Sequence, residues 1–333
     1  MSRTLALVFL ILVPLLGFAQ QKPQHSQYML NNFLLNPAIA GIEDYTDIRL
    51  SARNQWVGVE GAPSTYYLSA HTKLAKKNIA ASPGSVETRT PGFAAEREKR
   101  SIYRTERYKP RHGVGLILLH DKLGPFERTE ANFSYAYHTP LTGNLKGAAG
   151  VSAGLTQMKV AGSSLSFVDP NDAAGADRST WRTNLSGGLW LYSSRFYAGV
   201  SASEVLGNAV TFSGEDRAAG EARIHYFFTG AYKVAASEKL AFIPSVMVKW
   251  LRPLPVSLDY NLRAIYRNRI WAGISYRQHD SVAFLAGLTL SHIYELGYAY
   301  DTGVSSMGAS SHEVVLGVRL YNKRRILSPS NLW

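Results

Sequence analysis

Hydrophobic and polar residues alternate along most of the chain, and the clearest example is the segment Ser257 to Tyr266. Its two faces differ in character, with Ile265 as the one exception: Leu258, Tyr260, Leu262, Ala264 and Tyr266 alternate with Ser257, Asp259, Asn261 and Arg263. Strict alternation is typical of a β-strand that lies between an apolar and a polar environment. The pattern therefore predicts a sheet with one apolar face and one polar face.

The same alternation, punctuated by turn residues, predicts about fourteen strands. They span 45–55, 64–74, 112–121, 126–138, 146–158, 183–193, 195–206, 222–234, 239–252, 256–267, 269–278, 281–291, 292–301 and 312–321. We predict an all-β fold, a transmembrane antiparallel β-barrel of residues 45–321, because the pattern runs through with no separate domain boundary or shorter repeat. A soluble β-sandwich or propeller would also fit the strand spacing.

The predicted barrel also assigns each connection to a side of the membrane, since bacterial barrels usually keep both chain ends in the periplasm. This rule places the long connections 159–182, 207–221 and 302–311 outside. It places short turns, such as the one at Asn268, in the periplasm. The exception is segment 75–111, a long insert on the periplasmic side. Three interpretations of this segment stay open. It contains strands that the pattern does not reveal, it is a docking element, or it is a disordered, solvated insert.

The beginning of the chain has the three parts of a secretory signal. Arg3 is followed by the apolar run from Leu5 to Leu16 and by small residues up to Ala19. We expect residues 1–19 to be a signal peptide that is cleaved between Ala19 and Gln20. A retained anchor is the alternative, but the apolar run is short for a membrane span. Export and a barrel together predict a bacterial outer membrane.

The segment that follows, residues 20–44, is rich in apolar residues but fits neither a clean strand nor a capped helix. Pro37 interrupts it. We predict an irregular, plug-like segment that packs inside the barrel or across its mouth. Residues 322–333 form a C-terminal tail.

Composition narrows the choice of class. The chain has no cysteine, which excludes a lipoprotein, a disulfide scaffold and a thiolate metal site. A mean hydropathy of -0.11 argues against a helical membrane protein, and the 19 tyrosines suit bilayer interfaces. The net charge is +12, and about half of it lies between Lys76 and Arg111, where the chain has ten Lys or Arg and four Glu. Export makes nucleic acid an improbable partner, so we expect none.

Several motifs together are more specific than composition. They are Ser26-Gln27-Tyr28-Met29, Asn36-Pro37-Ala38-Ile39-Ala40-Gly41, Arg53-Asn54-Gln55-Trp56, Gly61-Ala62-Pro63-Ser64-Thr65, Gly297-Tyr298-Ala299-Tyr300-Asp301 and Ser311-His312-Glu313-Val314-Val315-Leu316. With these motifs the chain resembles the PorP/SprF family, outer-membrane proteins of the Bacteroidetes type IX secretion and gliding machinery. The resemblance extends over nearly the whole mature chain, although the insert 75–111 is longer than the family pattern.

The resemblance implies a barrel in the lipid bilayer that works with other type IX components. It also implies binding or anchoring of an exported surface protein, an adhesin with a type B C-terminal sorting domain. The motif residues that would contact the partner or the plug are Asn36, Pro37, Gly41, Arg53, Gln55, Trp56, Gly61, Pro63, Tyr300, Asp301, His312 and Glu313. Turns that maintain the fold are an equal interpretation of these positions.

Two of these residues also have a predicted place in the barrel. Arg53 and Gln55 share the strand face of Arg49 and Ser51, so we expect both in the lumen.

Candidate catalytic residues do not converge in the sequence. His120 and Asp121 are neighbours in a predicted strand, as are His312 and Glu313, and strand neighbours point to opposite faces. Asp301 and His312 could pair at the base of the last hairpin, as a clamp on loop 302–311. Neither a nucleophile elbow nor a zinc-protease helix motif is present. We predict that the chain is not an enzyme and has no cofactor.

Three further hypotheses stay open. The principal alternative function is a transporter for small apolar, fatty-acid-like solutes. A third possibility is an outer-membrane hydrolase, which would need a Ser or Asp that converges with a His in the lumen. Asp169, Asp172 and Asp177 in the long loop could bind calcium weakly, but ordinary loop acidity is the preferred interpretation, so we predict no metal site.

Overall fold

The computed structural model describes residues 25–74, 110–164, 176–207, 209–210, 220–221, 223–278, 280–303 and 310–321. The predicted signal peptide, nearly all of the basic insert and the C-terminal tail lie outside these residues.

The described residues contain fourteen barrel strands. They are β1 (Thr46–Asn54), β2 (Ser64–Leu74), β3 (Arg111–Leu123), β4 (Phe126–Thr142), β5 (Leu145–Val160), β6 (Arg178–Tyr192), β7 (Phe196–Ser203), β8 (His225–Tyr232), β9 (Leu240–Trp250), β10 (Ser257–Tyr266), β11 (Ile270–Arg277), β12 (Ser281–Leu290), β13 (Tyr294–Gly303) and β14 (Ser310–Leu320).

These strands form a closed antiparallel barrel. Each strand pairs with its neighbours in the chain, and β1 pairs with β14, with Thr46 opposite Leu320 and Asn54 opposite His312. The ring is continuous through β8, which pairs with both β7 and β9. The prediction of a fourteen-stranded antiparallel barrel is confirmed.

Three two-residue strands lie beside the barrel strands. Ala209–Val210 pairs with Gly220–Glu221 in the connection between β7 and β8, and Val234–Ala235 pairs with the beginning of β9. None of the helices in the described part of the chain is long and apolar enough to cross a membrane.

The inner face of the wall is polar and the outer face is apolar, as the alternation predicts. In β1, Arg49 and Arg53 are buried in the interior while Leu50 is 45% exposed on the outside. Large exposed side chains continue this outer face around the ring, including Phe133, Tyr135, Leu155, Leu189, Phe228, Leu262, Ile274, Phe284, Leu296 and Leu316. A wall that is apolar outside and polar inside suits a barrel surrounded by lipid.

The two ends of the barrel differ. At the terminal end, where β1 begins and β14 ends, the described turns are short, such as those at 193–195 and 267–269. The opposite end, called the loop end below, carries the connections 55–63, 161–177, 204–224 and 304–309. The basic insert belongs to the terminal end.

Several predicted strand ends are corrected by the structure. β6 begins at Arg178 rather than at residue 183, so the connection before it is shorter than 159–182. β3 begins at Arg111, which the sequence analysis placed in the insert. β1 ends at Asn54, so Gln55 is not part of a strand face.

Candidate functional site

Residues 25–44 lie inside the barrel. They form three short 3-10 helices, Tyr28–Leu30, Asn32–Leu34 and Pro37–Ile39, and nearly all of their side chains are buried. The Asn36 side chain caps the third helix, because its Oδ1 accepts the Ala38 N–H at 3.0 Å. We call residues 25–44 the N-terminal segment.

The N-terminal segment crosses the lumen from the loop end to the terminal end. Ser26 contacts Arg53, which lies near the last residue of β1. Asp44 contacts Lys73 and Arg111, with 2.9 Å and 3.3 Å to its Oδ1, and both of these residues lie at the terminal end of their strands. The chain therefore passes along the whole barrel before it enters β1.

Glycines in the wall make room for the N-terminal segment. A Cβ atom at Gly113 would overlap the Ala40 carbonyl, and one at Gly150 would overlap the backbone at Ala38. Further along the wall, a Cβ at Gly188, Gly115 or Gly297 would meet the side chain of Asn36, Phe33 or Gln27 respectively. This close fit indicates that the wall and the N-terminal segment are shaped for each other.

Polar side chains of the N-terminal segment bind the wall. Asn36 Nδ2 donates hydrogen bonds to the carbonyls of Leu189 at 3.0 Å and Val200 at 3.1 Å, which bridges β6 and β7. Asn31 Nδ2 donates to Ser69 Oγ at 2.8 Å. These bonds satisfy amides that would otherwise be buried without partners.

The middle of the segment is also held by aromatic and histidine side chains of the wall. His138 Nε2 donates to the Ala40 carbonyl at 2.8 Å, and its Nδ1 lies 3.0 Å from the Tyr192 hydroxyl. Asn32 Nδ2 donates to the Tyr197 hydroxyl at 3.3 Å, and the Tyr197 ring stacks on Trp190 with 4.6 Å between centroids.

A buried charged cluster fixes the segment at the loop end. Arg53 forms ion pairs with Asp301 at 2.6 Å and with Glu313 at 3.0 Å. The Ser26 N–H donates to Glu313 Oε2 at 2.7 Å, and its hydroxyl bonds both Arg53 and Asp301. Gln27 Nε2 donates to the Glu313 carbonyl at 3.1 Å. We call Ser26, Arg53, Asp301 and Glu313 the loop-end cluster.

A second cluster lies on the same side of the barrel, nearer the terminal end. Arg49 binds Asp47 at 3.0 Å and Glu295 at 3.5 Å, and Arg319 binds Glu295 at 2.6 Å. The Arg319 guanidinium also lies 5.9 Å from the ring centroid of Tyr45, the residue before β1. This cluster fastens the junction between the N-terminal segment and the wall.

Two more ion-pair groups line the loop-end half of the lumen. Arg128 pairs with Glu130 at 2.8 Å and with Glu204. Across the lumen, Arg277 pairs with Asp259 at 3.2 Å and with Asp280 at 3.0 Å. Buried charges are tolerated in a protein interior when they are paired in this way.

The structure brings together three of the residues that the sequence analysis selected, namely Arg53, Asp301 and Glu313. Asn36, Pro37 and Gly41 lie in the N-terminal segment, where Gly41 has a φ of 70° and packs directly against Gly113. The remaining selected residues lie elsewhere, in the first loop or on the outer wall.

The suggested pairing of Asp301 with His312 is wrong. Asp301 faces Ser311 across the last hairpin and points into the lumen, whereas His312 faces Tyr300 on the outer wall. His312 Nδ1 lies 2.7 Å from the Tyr298 hydroxyl. Successive side chains of a strand point alternately into the lumen and out of it. Asp301 occupies an inward position of β13 and His312 an outward position of β14, so their side chains lie on opposite faces of the wall.

Four selected residues form the connection between β1 and β2. The Gln55 N–H donates to the Pro63 carbonyl at 2.9 Å, which closes the base of this loop. The Trp56 N–H donates to Ser311 Oγ at 3.4 Å, and the Gly61 carbonyl accepts the Gly124 N–H at 2.9 Å. These contacts give the four residues a place in the loop architecture, and Gln55 lies just beyond the end of β1.

The candidates for catalysis and metal binding remain apart. His120 lies 3.0 Å from Thr129 Oγ1, and Asp121 accepts a hydrogen bond from Thr65 Oγ1 at 2.6 Å on the other face of β3. Asp177 accepts the Ser163 N–H at 3.0 Å, which lowers the pKa of its carboxyl group. Asp169 and Asp172 lie outside the described residues. Within the described ranges, no group of acidic or histidine residues could hold a metal ion.

Sequence reasoning missed the wall residues that receive the N-terminal segment. His138, Trp190 and Tyr197 lie on strands whose alternation places them in the lumen, but alternation does not tell which lumen residues meet the segment. Glycines in mid-strand, such as Gly113 and Gly150, were the available signal, because a glycine there marks close approach of another backbone.

These features define a class of protein, a transmembrane barrel whose described lumen is occupied by its own N-terminal segment. The sequence profile of the family described as type IX secretion system membrane protein PorP/SprF matches residues 17–318. The chain therefore belongs to the PorP/SprF family, and it is an outer-membrane β-barrel protein. No curated protein sequence matches the chain.

Solved outer-membrane barrels are similar in fold only. The toluene transporter TbuX of Ralstonia pickettii is 9% identical, with 87% of this chain and 93% of that chain covered and a TM-score of 0.47. Omp33 of Acinetobacter baumannii is 9% identical over 84% and 100% of the two chains, with a TM-score of 0.46. A FadL homologue of Pseudomonas aeruginosa is 9% identical over 85% and 91%, with a TM-score of 0.45.

Proposed function

We propose that this barrel is a non-enzymatic component of type IX secretion and gliding that binds or anchors an exported surface protein. The partner is an adhesin with a type B C-terminal sorting domain. The chain reaches the outer membrane by a signal peptide cleaved near Ala19 and Gln20. Its loop end faces outward, since bacterial barrels keep their chain ends in the periplasm.

The observation that carries this proposal is the filled lumen. Residues 25–44 run from one end of the barrel to the other, and the wall fits them with glycines and buried hydrogen bonds. A solute channel that runs along the barrel axis needs an open path, and expelling this segment would leave paired charges such as Arg53 and Glu313 without their Ser26 contacts. A barrel closed in this way supports binding of a partner at its surface.

Nine of the motif residues divide into two roles under this proposal. Asn36, Gly41, Arg53, Asp301 and Glu313 hold the N-terminal segment in the lumen. The residues Gln55, Trp56, Gly61 and Pro63 shape the first external loop, where Val57 and Val59 are 54% and 45% exposed. Exposed valines in a shaped loop give a partner an apolar contact.

The experiment is affinity purification of the tagged barrel from detergent-solubilised outer membranes, with mass spectrometry of the proteins that co-elute. Recovery of a large exported protein with a C-terminal sorting domain is the expected result, and an unrelated tagged barrel from the same membranes is the control. A barrel that brings down only lipid or fatty acid would contradict partner binding and favour a transporter of small apolar solutes.

A further inference from the structure

The N-terminal segment begins at the loop end of the barrel, although β1, which follows it, begins at the terminal end. The Ser26 N–H donates to Glu313 Oε2 at 2.7 Å. The Ser26 hydroxyl accepts a hydrogen bond from Arg53 and donates one to Asp301. These three wall residues lie near the loop ends of β14, β1 and β13. The chain therefore runs down the lumen from Ser26 to Asp44, and the residues that precede Ser26 are attached at the loop end.

The residue before Ser26 is also fixed against the loop-end half of the wall. The His25 side chain is buried, and its ring meets the Tyr67 ring edge-on, with 5.0 Å between centroids. Tyr67 lies on β2 opposite Ser51, three residues from the end of β1 at Asn54. Three residues of a strand that leans about 40° rise about 8 Å along the barrel axis, so the rim lies about 8 Å above this level.

The path from His25 toward the terminal end is occupied. Below His25 the lumen holds the rest of the N-terminal segment, in which Phe33 and Ile39 are 1% and 2% exposed. The wall presses closely on it, because a Cβ atom added at Gly113 or Gly150 would overlap the backbone of the segment. A chain that turned back at His25 would have to displace this packing.

Few residues precede His25 in the predicted mature chain. Cleavage between Ala19 and Gln20 leaves the five residues Gln20 to Gln24 ahead of it. An extended chain covers at most about 3.6 Å per residue, so these residues reach at most about 18 Å. The rim is only about 8 Å away, so this stretch is long enough to leave the mouth of the barrel.

We propose that the mature N-terminus, Gln20, emerges from the loop end of the barrel and is exposed at the cell surface. The loop end faces outward because its connections are long, while the turns at the terminal end are short. The usual location of barrel ends in the periplasm applies here to the beginning of β1 and the end of β14. The residues before β1 return through the lumen and leave on the opposite side of the membrane.

The terminus leaves the barrel beside the first external loop. Arg53, which binds Ser26, lies two residues before Gln55, whose N–H closes the base of this loop. The terminus brings a free α-amino group and the Lys22 side chain to this surface. The inference rests on the proposed function for two points, the outward orientation of the loop end and cleavage after Ala19. It does not depend on which protein is exported.

Single cysteines in the full-length barrel test this inference in living cells, since the chain has no cysteine of its own. The reagent is a maleimide attached to a polymer that is too large to pass through the outer membrane. Gln21→Cys reports on the terminus. Glu60→Cys in the first external loop and Ser194→Cys in a terminal-end turn are controls at exposed positions. Each variant is treated in intact cells and after permeabilisation, and attachment of the polymer is detected as an electrophoretic shift.

We expect Gln21→Cys and Glu60→Cys to shift in intact cells, whereas Ser194→Cys shifts only after permeabilisation. The intact mass of the purified, unsubstituted barrel should lack residues 1–19.

Four results would overturn the inference. Labelling of Gln21→Cys only after permeabilisation would place the terminus in the periplasm, and no labelling under either condition would place it within the lumen. Both results remove the inference and leave the proposed partner binding untouched. An intact mass that includes residues 1–19 would contradict cleavage before Gln20, and with it this terminus. If Ser194→Cys were labelled in intact cells and Glu60→Cys were not, the proposed orientation would itself fail.

Discussion

Arg53 in β1 and Asp301 in β13 form a buried ion pair, with 2.6 Å between Nη2 and Oδ2, although β14 lies between their strands. The intervening strand contributes Glu313, whose carboxylate binds the other terminal nitrogen of Arg53 at 3.0 Å. Ser26 of the N-terminal segment joins the same group. One arginine therefore ties together three wall strands and the segment that fills the lumen.

Replacing this arginine should strongly destabilise the barrel. Arg53→Met leaves Asp301 and Glu313 buried and uncompensated, and breaking a buried pair in this way costs about 3–5 kcal/mol. The measurement is the temperature at which the purified barrel loses its heat-dependent electrophoretic shift. Arg195→Ala, at an exposed position in the turn between β6 and β7, should leave that temperature unchanged.

A combined variant separates lost charge compensation from lost packing. Arg53→Met with Asp301→Asn and Glu313→Gln removes the unpaired charges, so part of the stability should return. A triple variant no more stable than Arg53→Met would contradict the electrostatic account.

The close contact between Gly113 and Ala40 predicts that wall glycines differ sharply in how much stability is lost when they are replaced by alanine. Gly113→Ala places a Cβ against the Ala40 carbonyl, and overpacking of this kind costs about 1–3 kcal/mol. Gly187→Ala meets nothing closer than 3.9 Å and should have little effect. Thermal unfolding of both variants tests this, and equal stability of the two would argue against a tightly packed segment.

Locking the N-terminal segment to the wall should preserve function. Asn31 and Ser69 are hydrogen-bonded at 2.8 Å, and the chain has no cysteine of its own, so Asn31→Cys with Ser69→Cys introduces a single thiol pair. Oxidation should not change recovery of the exported partner, since binding does not require the segment to leave. If oxidation abolished recovery of the exported partner and reduction restored it, partner binding would require the N-terminal segment to move. The single variant Asn31→Cys is the control.

The positive charge of the basic insert leads to a prediction about how binding through it depends on ionic strength. We propose that residues 75–110, at the terminal end, dock an acidic periplasmic component of the secretion machinery. Electrostatic docking weakens as ionic strength rises, so a pull-down through the insert should lose this component at high salt. Export that is unaffected by deletion of residues 76–109, or a pull-down that resists high salt, would contradict docking by this segment.

The alternation of apolar and polar residues predicts a barrel strand well where the two faces of that strand differ clearly in polarity. The strand Ser257–Tyr266 was expected at 256–267, because its apolar and polar positions alternate almost without exception. The beginning of β6 was missed, since Arg178, Ser179 and Thr180 resemble loop residues. Such short polar strand ends carry little hydrophobic signal.

The candidate site depends on information that local pattern does not contain. Alternation places Arg53 and Glu313 in the lumen, but their contact requires β1 to pair with β14 in a particular register after the ring closes. In a closed barrel that register is set by the stagger of all the strands together. The contacts of Ser26 depend in addition on how the N-terminal segment crosses the lumen.

We propose that this filled barrel serves an exported protein and does not pass solutes along its axis. The most direct test is to delete the gene and compare the proteins exposed at the cell surface, and the uptake of small apolar solutes, with those of the complemented strain. We expect a protein with a C-terminal sorting domain to be lost from the surface and restored by complementation, with uptake unchanged. An unchanged surface proteome together with reduced solute uptake would contradict it.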